Sequence, residues 1–272
     1  MKTGGKTKHL AEAVILWNLR AGGACYRMGI GCHPTFETAE PGQFVMIRLQ
    51  SHAEPLLRRP FSIHDLIWEN NRISGIEILY KVIGTGTEKL AGCRKGDVVD
   101  ILGPLGNGFS LVDPPGSVFM AAGGIGVAPF LFLSKTLLKQ GVDASRIVLF
   151  FGGRSTGDLA GLKSFEKLGI TIQPATEDGS TGVKGMVTVP LVSAIRATKP
   201  DILYACGPVP MLKAVTSLSA DHDVRCEISI ETMMACGMGA CLGCAVESRR
   251  TGKRYLHACV DGPVFDARQI IL

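Results

Sequence analysis

Short hydrophobic runs separated by turn-forming residues fill the first part of the chain. The runs fall at residues 11–19, 43–49, 61–68, 73–82 and 98–102. Pro41-Gly42, Gly84 with Gly86, and Lys95-Gly96-Asp97 interrupt them where hairpin turns or loops would lie. Because β-rich runs bounded by turn residues indicate antiparallel strands, we predict a β-barrel or sandwich between about residues 10 and 111.

After Pro114-Pro115-Gly116 the pattern changes to a strand, a glycine turn and a helix. A strand pattern at 117–122 is followed by Gly123-Gly124-Ile125-Gly126 and by helical spacing over 128–140. Further strands are predicted at 146–152, 171–175 and 202–205, with a helix at 211–218. Alternating strands and helices predict a parallel α/β sheet. From about Val224 the chain becomes rich in loops and cysteines, which indicates a third, small unit.

Length and composition fit two folded domains with a small addition. The chain has 272 residues, of which 46% are hydrophobic and 19% charged, values that exclude intrinsic disorder. No run of about 18 uncharged apolar residues could span a bilayer, and residues 1–17 lack the apolar core of a signal peptide. We therefore expect a soluble, cytoplasmic protein without a membrane partner.

Charge and cysteine usage narrow the function further. The net charge of +5 is scattered, without a block of Lys and Arg, so nucleic acid is not an expected partner. Nine cysteines is an odd number, and four of them lie after residue 235. A disulfide scaffold would be smaller and more evenly cross-linked, so this clustering indicates metal or cluster ligation in a reducing compartment.

The most specific motif is Cys236-x4-Cys241-x2-Cys244, completed after fourteen residues by Cys259. This spacing is close to that of plant-type two-iron, two-sulfur ferredoxins. Glycines at 237, 239 and 243 would let the chain wrap tightly and aim amide hydrogens at the sulfurs. The alternative is a structural zinc site, which more often uses two C-x2-C pairs.

Two glycine turns follow predicted strands of the α/β part. Gly123, Gly124 and Gly126 precede a helix, where backbone amides and the helix dipole favour a phosphate. Cys206-Gly207-Pro208 follows a later strand, at the edge where ligands gather in such sheets. The first turn is not the complete G-x-G-x-x-G fingerprint, and no clear acidic ribose ligand is found about 20 residues later. A tight connection without a ligand is the alternative.

Three short segments of the first part have the chemistry of a flavin site. Arg59-Pro60-Phe61-Ser62 combines a phosphate-binding arginine with a hydroxyl that could bond a flavin ring. Tyr80-Lys81 adds a stacking surface and a cation, and Gly84-Thr85-Gly86-Thr87 adds exposed amides for a pyrophosphate. Each segment is also compatible with a turn or a solvated face. The segment 103–108 reads as a connector, and Cys25, Cys32, Cys93 and Cys226 as packing residues.

Motifs of hydrolytic catalysis are missing from the sequence. There is no Ser-His-Asp order, no H-E-x-x-H helix and no evident carboxylate pair, and the six histidines are dispersed. We assign no catalytic residue. This absence suits flavin chemistry, in which the cofactor reacts and the protein supplies orientation and potential.

Taken in their order, these motifs and Tyr80-Lys81-Val82 resemble the ferredoxin-reductase superfamily. The C-terminal cysteines make the chain similar, from about Lys8 onward, to the electron-transfer subunit family of dihydroorotate dehydrogenase B. The resemblance implies a flavin-binding antiparallel β-barrel (1–112), a nicotinamide-binding parallel α/β domain (113–224) and a cluster domain (225–272). Phe61 departs from the pattern, since the superfamily often has tyrosine there and this family an aliphatic residue.

The resemblance also implies FAD, NAD(H) and a 2Fe-2S cluster. FAD would be held by Arg59, Pro60, Phe61, Ser62, Leu79, Tyr80, Lys81, Gly86 and Thr87. The nicotinamide nucleotide would lie on Gly123, Gly124, Gly126, Cys206, Gly207 and Pro208, and the cluster on Cys236, Cys241, Cys244 and Cys259. The implied partner is an FMN-containing subunit that oxidises dihydroorotate to orotate in pyrimidine biosynthesis, within a heterotetramer. Electrons would run from that FMN through the cluster and FAD to NAD.

Two alternative functions and the choice between NAD and NADP stay open. A flavin and cluster subunit of another complex, such as an electron-bifurcating ferredoxin:NADP reductase, a sulfide dehydrogenase or a hydrogenase, would share every domain. A zinc-bearing interaction protein that had lost redox function would keep the fold. Arg154-Ser155, after the second predicted strand of the sheet, could meet the 2′-phosphate of NADP or face solvent.

Overall fold

Six antiparallel strands form a closed barrel in the first part of the chain. The computed structural model describes residues 8–49, 56–111, 116–249, 252 and 254–272. The barrel strands are β1 (His9–Gly22), β2 (Cys25–Gly31), β3 (Phe44–Leu49), β4 (Arg59–Glu69), β5 (Arg72–Lys81) and β6 (Val98–Leu105), and helix α1 (Thr85–Gly92) lies between the last two. Their order around the barrel is β1-β2-β5-β4-β3-β6, with alternate aliphatic side chains pointing into its core.

Strand β2 was not among the predicted runs, and its composition explains the omission. Gly29 and Gly31 interrupt its apolar pattern. A Cβ atom on Gly29 would lie 2.4 Å from the Trp17 ring of the neighbouring strand, so a residue without a side chain is required there. The glycine that weakens the strand signal is therefore the one that lets β1 and β2 pair.

A seven-stranded sheet with helices on its faces forms the second part. The strands are β7 (Val118–Gly123), β8 (Ile147–Gly153), β9 (Thr171–Thr176), β10 (Val183–Lys184), β11 (Ile202–Cys206), β12 (Cys226–Ser229) and β15 (Val264–Asp266), and the helices are α2 (Phe130–Lys139), α3 (Leu162–Glu166), α4 (Thr188–Ala197) and α5 (Val209–Asp221). The order is β10-β9-β8-β7-β11-β12-β15. All neighbours pair in parallel except β12 and β15, so the predicted barrel and parallel α/β sheet are both confirmed.

The cysteine-rich segment packs against both larger units. Strands β12 and β15 belong to the main sheet, while β13 (Ala245–Glu247) and β14 (Tyr255–His257) form a separate two-stranded ribbon. The division at 112, 224 and 272 stays a prediction, and the Pro114-Pro115 junction lies outside the described residues. No helix within the described ranges is long and apolar enough to cross a membrane.

Aromatic contacts and an ion pair are among the links that join the barrel to the sheet. Phe109 stacks on Phe130 and meets the Tyr204 ring edge-on, and the Tyr204 hydroxyl donates a hydrogen bond of 2.6 Å to the Ser110 carbonyl. Strand β4 lies beside α2, where Asp65 pairs with Lys135. These contacts hold the carboxyl ends of the sheet strands against the barrel, which is where the cavities described next are found.

Candidate functional site

The first cavity, of about 510 Å³, lies between the barrel, the glycine turn after β7 and the segment after β12. Strand β4 lines it with Arg59, Pro60, Phe61 and Ser62, β5 with Leu79, Tyr80 and Lys81, and the start of α1 with Gly84, Thr85, Gly86 and Thr87. The two strands bring their motifs together because they pair antiparallel, with Ile63 opposite Ile78. All nine residues predicted to hold a flavin therefore face one space.

The aromatic residues of this cavity differ in how much ring they present. Phe61 is partly exposed and packs edge-on against Tyr80, with ring centroids 5.8 Å apart. Tyr80 is only 2% exposed, and its hydroxyl donates to the Asn18 side chain at 3.1 Å. Burial raises the pKa of the Tyr80 phenol well above its usual value. Tyr80 thus supports the cavity wall from beneath, while Phe61 offers the more accessible ring.

The turn predicted to expose amides at 84–87 is the beginning of helix α1. The Thr87 hydroxyl accepts hydrogen bonds from the Ile83 and Gly84 amides, at 2.9 and 3.2 Å, and fixes the helix start. The helix N-terminus therefore faces the cavity with backbone N–H groups and the positive end of its dipole. This environment suits an anionic group such as a pyrophosphate.

The second cavity, of about 630 Å³, lies over the carboxyl ends of β7, β8, β9 and β11. Gly123, Gly124, Gly126, Gly207 and Pro208 line it, whereas Cys206 lines the first cavity. Burial raises the pKa of the Cys206 thiol to about 12. The predicted nucleotide residues are brought together at the edge of the sheet where ligands of α/β proteins bind.

Close packing between the two glycine turns explains their composition. A Cβ on Gly126 would lie 2.3 Å from the Cys206 carbonyl oxygen, and one on Gly207 would lie 3.0 Å from the Gly123 amide nitrogen. Gly124 has a φ of +53° and open space around it. Gly126 and Gly207 are thus needed for contact between the turns, while Gly124 keeps backbone exposed to the cavity.

Lys81 connects the two cavities through an ion pair. Its ammonium group donates to Asp158 at 2.9 Å, and the other oxygen of Asp158 accepts from the Arg154 Nε at 3.1 Å. The hydrogen bond from Lys81 lowers the pKa of the Asp158 carboxyl. Lys81 therefore reaches from the barrel to the sheet instead of pointing only into the first cavity.

Glu231 was missed in the sequence and lines both cavities. It follows β12 and is exposed towards the open space, while the surrounding protein raises the pKa of its carboxyl by desolvation. Asp158 and Glu177, which line the second cavity, were also missed. No motif marks these acids, because only the folded sheet brings them to the glycine turns.

The four predicted cluster cysteines lie on the loops around β13 and β14. Sγ of Cys244 is 3.2 Å from Sγ of Cys259. The amides of Met238 and Cys241 each donate to Sγ of Cys236 at 3.4 Å. Burial opposes ionisation of Cys236, but these amide hydrogen bonds outweigh it and lower the pKa of the thiol to about 6. In the described part of the chain, no three Cys, His, Asp or Glu side chains form a closed metal site.

These donor sets fit the three groups that the motifs imply. Four thiols on neighbouring loops, with two amide donors aimed at Sγ of Cys236, suit an iron–sulfur cluster. Gly237 and Gly239 adopt the positive φ of +71° and +88° that a tight ligand loop requires. The first cavity offers a ring surface, cations and a helix N-terminus, which suit a flavin dinucleotide. The second offers glycine backbone at strand ends, which suits a nicotinamide dinucleotide.

Comparisons with known proteins point in the same direction. Residues 231–271 match the family model for the iron–sulfur cluster binding domain of dihydroorotate dehydrogenase B, and residues 120–217 match the oxidoreductase NAD-binding domain. The electron transfer subunit of dihydroorotate dehydrogenase B (NAD(+)) from Caldanaerobacter subterraneus subsp. tengcongensis is 40% identical over 265 residues, covering 96% of this chain and 98% of that protein. The Bacillus velezensis protein of the same name is 35% identical, covering 96% and 99%.

Solved structures extend the similarity to the fold. A structure of the NADH-dependent reduced ferredoxin-NADP oxidoreductase, described for flavin-based electron bifurcation, superimposes with a TM-score of 0.82 at 28% identity and covers 96% of this chain and 90% of that one. A Neisseria gonorrhoeae ferredoxin NADP+ reductase with bound FAD and NADP has a TM-score of 0.62 at 18% identity, covering 78% and 91%. The latter similarity concerns the fold alone.

Proposed function

The chain belongs to the family of electron transfer subunits of dihydroorotate dehydrogenase B, and from this membership we propose that it moves electrons between NAD(H), FAD and a 2Fe-2S cluster for a separate catalytic subunit. Its activity is that of an oxidoreductase. The observation that carries the proposal is the wall shared by the two cavities: Lys81, Ile125 and Glu231 line both. A flavin in one cavity and a nicotinamide in the other would meet at this wall.

The cysteine segment continues directly from the same wall. Residues 229–232 and 234 line the first cavity, and Cys236 follows two positions later. Gly237 packs against Met46 of barrel strand β3, where a Cβ would lie 2.5 Å from the methionine side chain. This continuity supports an electron path from the first cavity to a cluster on Cys236, Cys241, Cys244 and Cys259.

Each group of residues has a proposed part in binding and orientation. Arg59 and the start of α1 would neutralise phosphates of FAD, while Phe61 and Ser62 would hold its ring system. Gly124 and its neighbours would bind the nicotinamide nucleotide through backbone amides. Bound flavin would supply the exchange between hydride transfer with the nicotinamide and single-electron transfer with the cluster. Cys206, which is buried and lines the first cavity, would present an uncharged surface to the flavin.

The finer part of the proposal concerns the partner. We expect an FMN-containing catalytic subunit that oxidises dihydroorotate to orotate, in a heterotetramer. The segment that carries the exposed Cys241 also has exposed apolar side chains: Met233 is 89% exposed, and Met238, Leu242 and Val260 are each about half exposed. Exposed apolar side chains beside an electron-transfer group are suited to a protein interface. Docking there would place the partner's flavin near the cluster.

A bifurcating oxidoreductase is the second candidate, because a structure of that kind covers nearly the whole chain. The higher identity to dihydroorotate dehydrogenase B subunits, 40% against 28%, favours the first assignment. The two candidates differ in the partner, so the test is co-expression with each class of partner. Stable co-purification and dihydroorotate-dependent NAD reduction would support the first; reduction of ferredoxin with NADPH would support the second.

The first experiment is an absorption spectrum of anaerobically purified protein before and after NADH, with iron and acid-labile sulfide assayed on the same sample. Flavin bands bleached by NADH, with about two irons and two sulfides per chain, are expected. A colourless protein that contains zinc would contradict the redox function.

A further inference from the structure

A short 3₁₀ turn after β8, Thr156–Asp158, joins the barrel to the sheet beside the second cavity. On the barrel side, the turn touches the hairpin between β1 and β2, where a Cβ on Gly23 would lie 2.5 Å from the Gly157 carbonyl oxygen. On the sheet side, the Thr156 amide donates to the Ser180 hydroxyl at 2.8 Å, in the loop that follows β9. The position of the turn is therefore fixed from both units.

Asp158 ends this turn, and both oxygens of its carboxylate accept hydrogen bonds. One oxygen accepts from the Lys81 ammonium group at 2.9 Å. The other accepts from the backbone amide and from Nε of Arg154, at 3.2 and 3.1 Å. The backbone amide of Asp158 itself donates to the Ser155 carbonyl at 3.0 Å. These bonds fix the direction of the carboxylate, so that Asp158 offers Lys81 an acceptor at a defined place.

The other end of this link, Lys81, is held by the barrel. Lys81 is the last residue of β5 and pairs with Cys25 of β2, and the next amide, that of Val82, donates to the Ala24 carbonyl at 2.9 Å. The Lys81 side chain is 28% exposed and that of Asp158 is 15% exposed. The ion pair thus lies within the contact between the two units, where it is less weakened by water than a surface pair.

This link crosses the wall at which the two cavities meet. Lys81 lines both cavities, together with Ile125 and Glu231. Two units of one chain are expected to move relative to each other unless their interface is large and apolar. Hydride transfer is sensitive to such motion, because a displacement of about 1 Å can cost about a hundredfold in rate. A contact that fixes the barrel against the sheet at this wall would therefore control how a nicotinamide meets a flavin.

We propose that Asp158 is a positioning residue for hydride transfer between the nicotinamide and the flavin, and that it acts through Lys81. This inference rests on the proposed function, and no motif of the sequence marks Asp158. The step moves one hydride from NADH, which becomes NAD⁺, to FAD, which also takes one proton from solvent and becomes FADH₂. Because Asp158 holds the ammonium group of Lys81, this lysine sets the spacing of the two cavities, and the phosphates of FAD are left to Arg59 and the start of α1.

The test follows flavin reduction after rapid anaerobic mixing of the FAD-loaded full chain with a series of NADH concentrations. The limiting rate reports transfer, and the NADH concentration at half-saturation reports binding. Asp158→Asn keeps the shape of the side chain but removes the charge that holds Lys81. We expect its limiting rate to fall about tenfold or more, with half-saturation within about threefold of the wild type. An unchanged limiting rate would overturn the proposal.

The matched control is another ion pair that joins the barrel to the sheet. Asp65 of β4 pairs with Lys135 of α2, and its side chain is 14% exposed, against 15% for Asp158. Neither Asp65 nor Lys135 lines either of the two cavities. Asp65→Asn should lower the urea midpoint about as much as Asp158→Asn does, but should keep the limiting rate within about twofold. An equal fall of the limiting rate in both variants would give Asp158 only a general structural role and refute the proposal.

Variants of Lys81 test whether Asp158 acts through this residue. Lys81→Met should reproduce the loss of rate, and adding Asp158→Asn to it should lower the rate less than about twofold further. Lys81→Arg, which keeps a long cationic donor, should recover most of the rate lost in Lys81→Met. The FAD dissociation constant, from fluorescence titration, should stay within about threefold in Lys81→Met and Asp158→Asn. Effects that multiply in the double variant, or a tenfold weaker binding of FAD in Lys81→Met, would contradict the proposal.

Amide hydrogen exchange on the same proteins without NADH gives a readout that is independent of activity. Asp158→Asn should speed exchange in the hairpin at 22–24 and in the turn at 154–158, and Asp65→Asn should not. If NADH bleached the wild-type flavin but both the rate and the exchange of Asp158→Asn were unchanged, the positioning role alone would fail. A wild type whose flavin NADH does not bleach would overturn the proposed function and this inference with it, even if exchange behaved as expected.

Discussion

His64 of barrel strand β4 donates a hydrogen bond of 2.6 Å from Nδ1 to the carbonyl of Ala128, in the turn that leads into α2. The histidine is fully buried, and its Nε2 atom lies 3.7 Å from Oε1 of Glu77 without a hydrogen bond. Because a carbonyl can only accept, the proton must be on Nδ1. The strand that carries Arg59-Pro60-Phe61-Ser62 is thereby fixed to the turn that carries the nucleotide glycines.

Replacing His64 by Leu should destabilise the protein by about 1–3 kcal/mol, because the Ala128 carbonyl would lose its side-chain donor in a buried position. His64→Asn keeps an N–H donor at a similar distance from the backbone, and should recover a large part of the loss. Urea unfolding followed by circular dichroism measures both. Equal stability of the Leu variant and the wild type would contradict the role of this hydrogen bond.

The stability of the wild type should also depend on pH through His64. Burial lowers the pKa of His64, against the opposing effects of the Glu77 and Asp65 carboxylates and the Ala128 carbonyl, while nearby Arg27 adds to the lowering. The folded state therefore binds the proton less well than the unfolded chain. Neutral His64 therefore contributes fully to the free energy of unfolding above the pKa of the unfolded chain, about 6.5, and this contribution falls as the pH drops below that value. Urea unfolding between pH 7.5 and 5 should show a steeper loss in the wild type than in His64→Asn, and parallel curves would contradict this.

The cluster assignment predicts a selective effect of Cys241→Ser. Loss of one thiolate ligand should remove most iron and acid-labile sulfide and the associated absorption, while flavin content stays close to that of the wild type. Cys93→Ser is the matched control, since Cys93 is also a partly accessible free thiol, hydrogen-bonded to the Lys89 carbonyl and away from the C-terminal loops. Iron assay and visible spectra of both variants provide the measurement; full cluster content in Cys241→Ser would refute the ligand assignment.

Arg59→Ala should weaken FAD retention. Arg59 is exposed at the beginning of β4, lines the first cavity, and has its guanidinium oriented by a hydrogen bond of 2.7 Å to the Leu57 carbonyl. Loss of a charge-assisted contact to phosphate should weaken binding by roughly 1.5–3 kcal/mol, or about ten- to a hundredfold. Arg72→Ala, at the beginning of β5 and outside the cavity, removes the same charge as a control. The release of flavin on dilution, followed by fluorescence, measures FAD retention in the Arg59→Ala and Arg72→Ala variants.

Local patterns were enough to predict the barrel and the parallel sheet, and the motifs together with the family resemblance predicted the cofactors. The barrel, the parallel sheet and the glycine turns follow from runs of a few residues, each of which has its own periodicity or turn chemistry. The contacts that join these parts cannot be predicted from such local patterns. Lys81 lies in a recognisable segment, but its partner Asp158 is 77 positions away and is brought there only by the packing of barrel on sheet.

The sequence did not predict the acidic residues at the cavities, because the packing of the strands alone brings them there. Glu177 reaches the second cavity because β9 is placed beside β8, and Glu231 borders both cavities because β12 joins β11 in the sheet. The sequence predicts that Gly126 binds a phosphate, and the structure adds a second requirement for glycine there, because the Cys206 carbonyl approaches it closely. Steric requirements of this kind arise where two distant segments touch, so neither segment shows them as a periodic pattern in its sequence.

Because position 126 has no room for a side chain, Gly126→Ala tests the contact between the two glycine turns. The new methyl group would lie 2.3 Å from the Cys206 carbonyl oxygen and 2.8 Å from the Gly207 Cα, both of them backbone atoms that cannot rotate away. We expect a loss of roughly 1–3 kcal/mol in unfolding free energy and weaker NADH binding, because the turns must separate.

Gly92→Ala is the matched control for this change. Gly92 lies at the end of α1, and a Cβ there would have no atom within 4 Å. Alanine is favoured over glycine in a helix, so this variant should keep or slightly raise stability. Urea unfolding and NADH titration of both variants measure the difference. If Gly126→Ala were as stable as Gly92→Ala and bound NADH as the wild type does, the two turns could not be in the close contact on which the shared wall of the cavities depends.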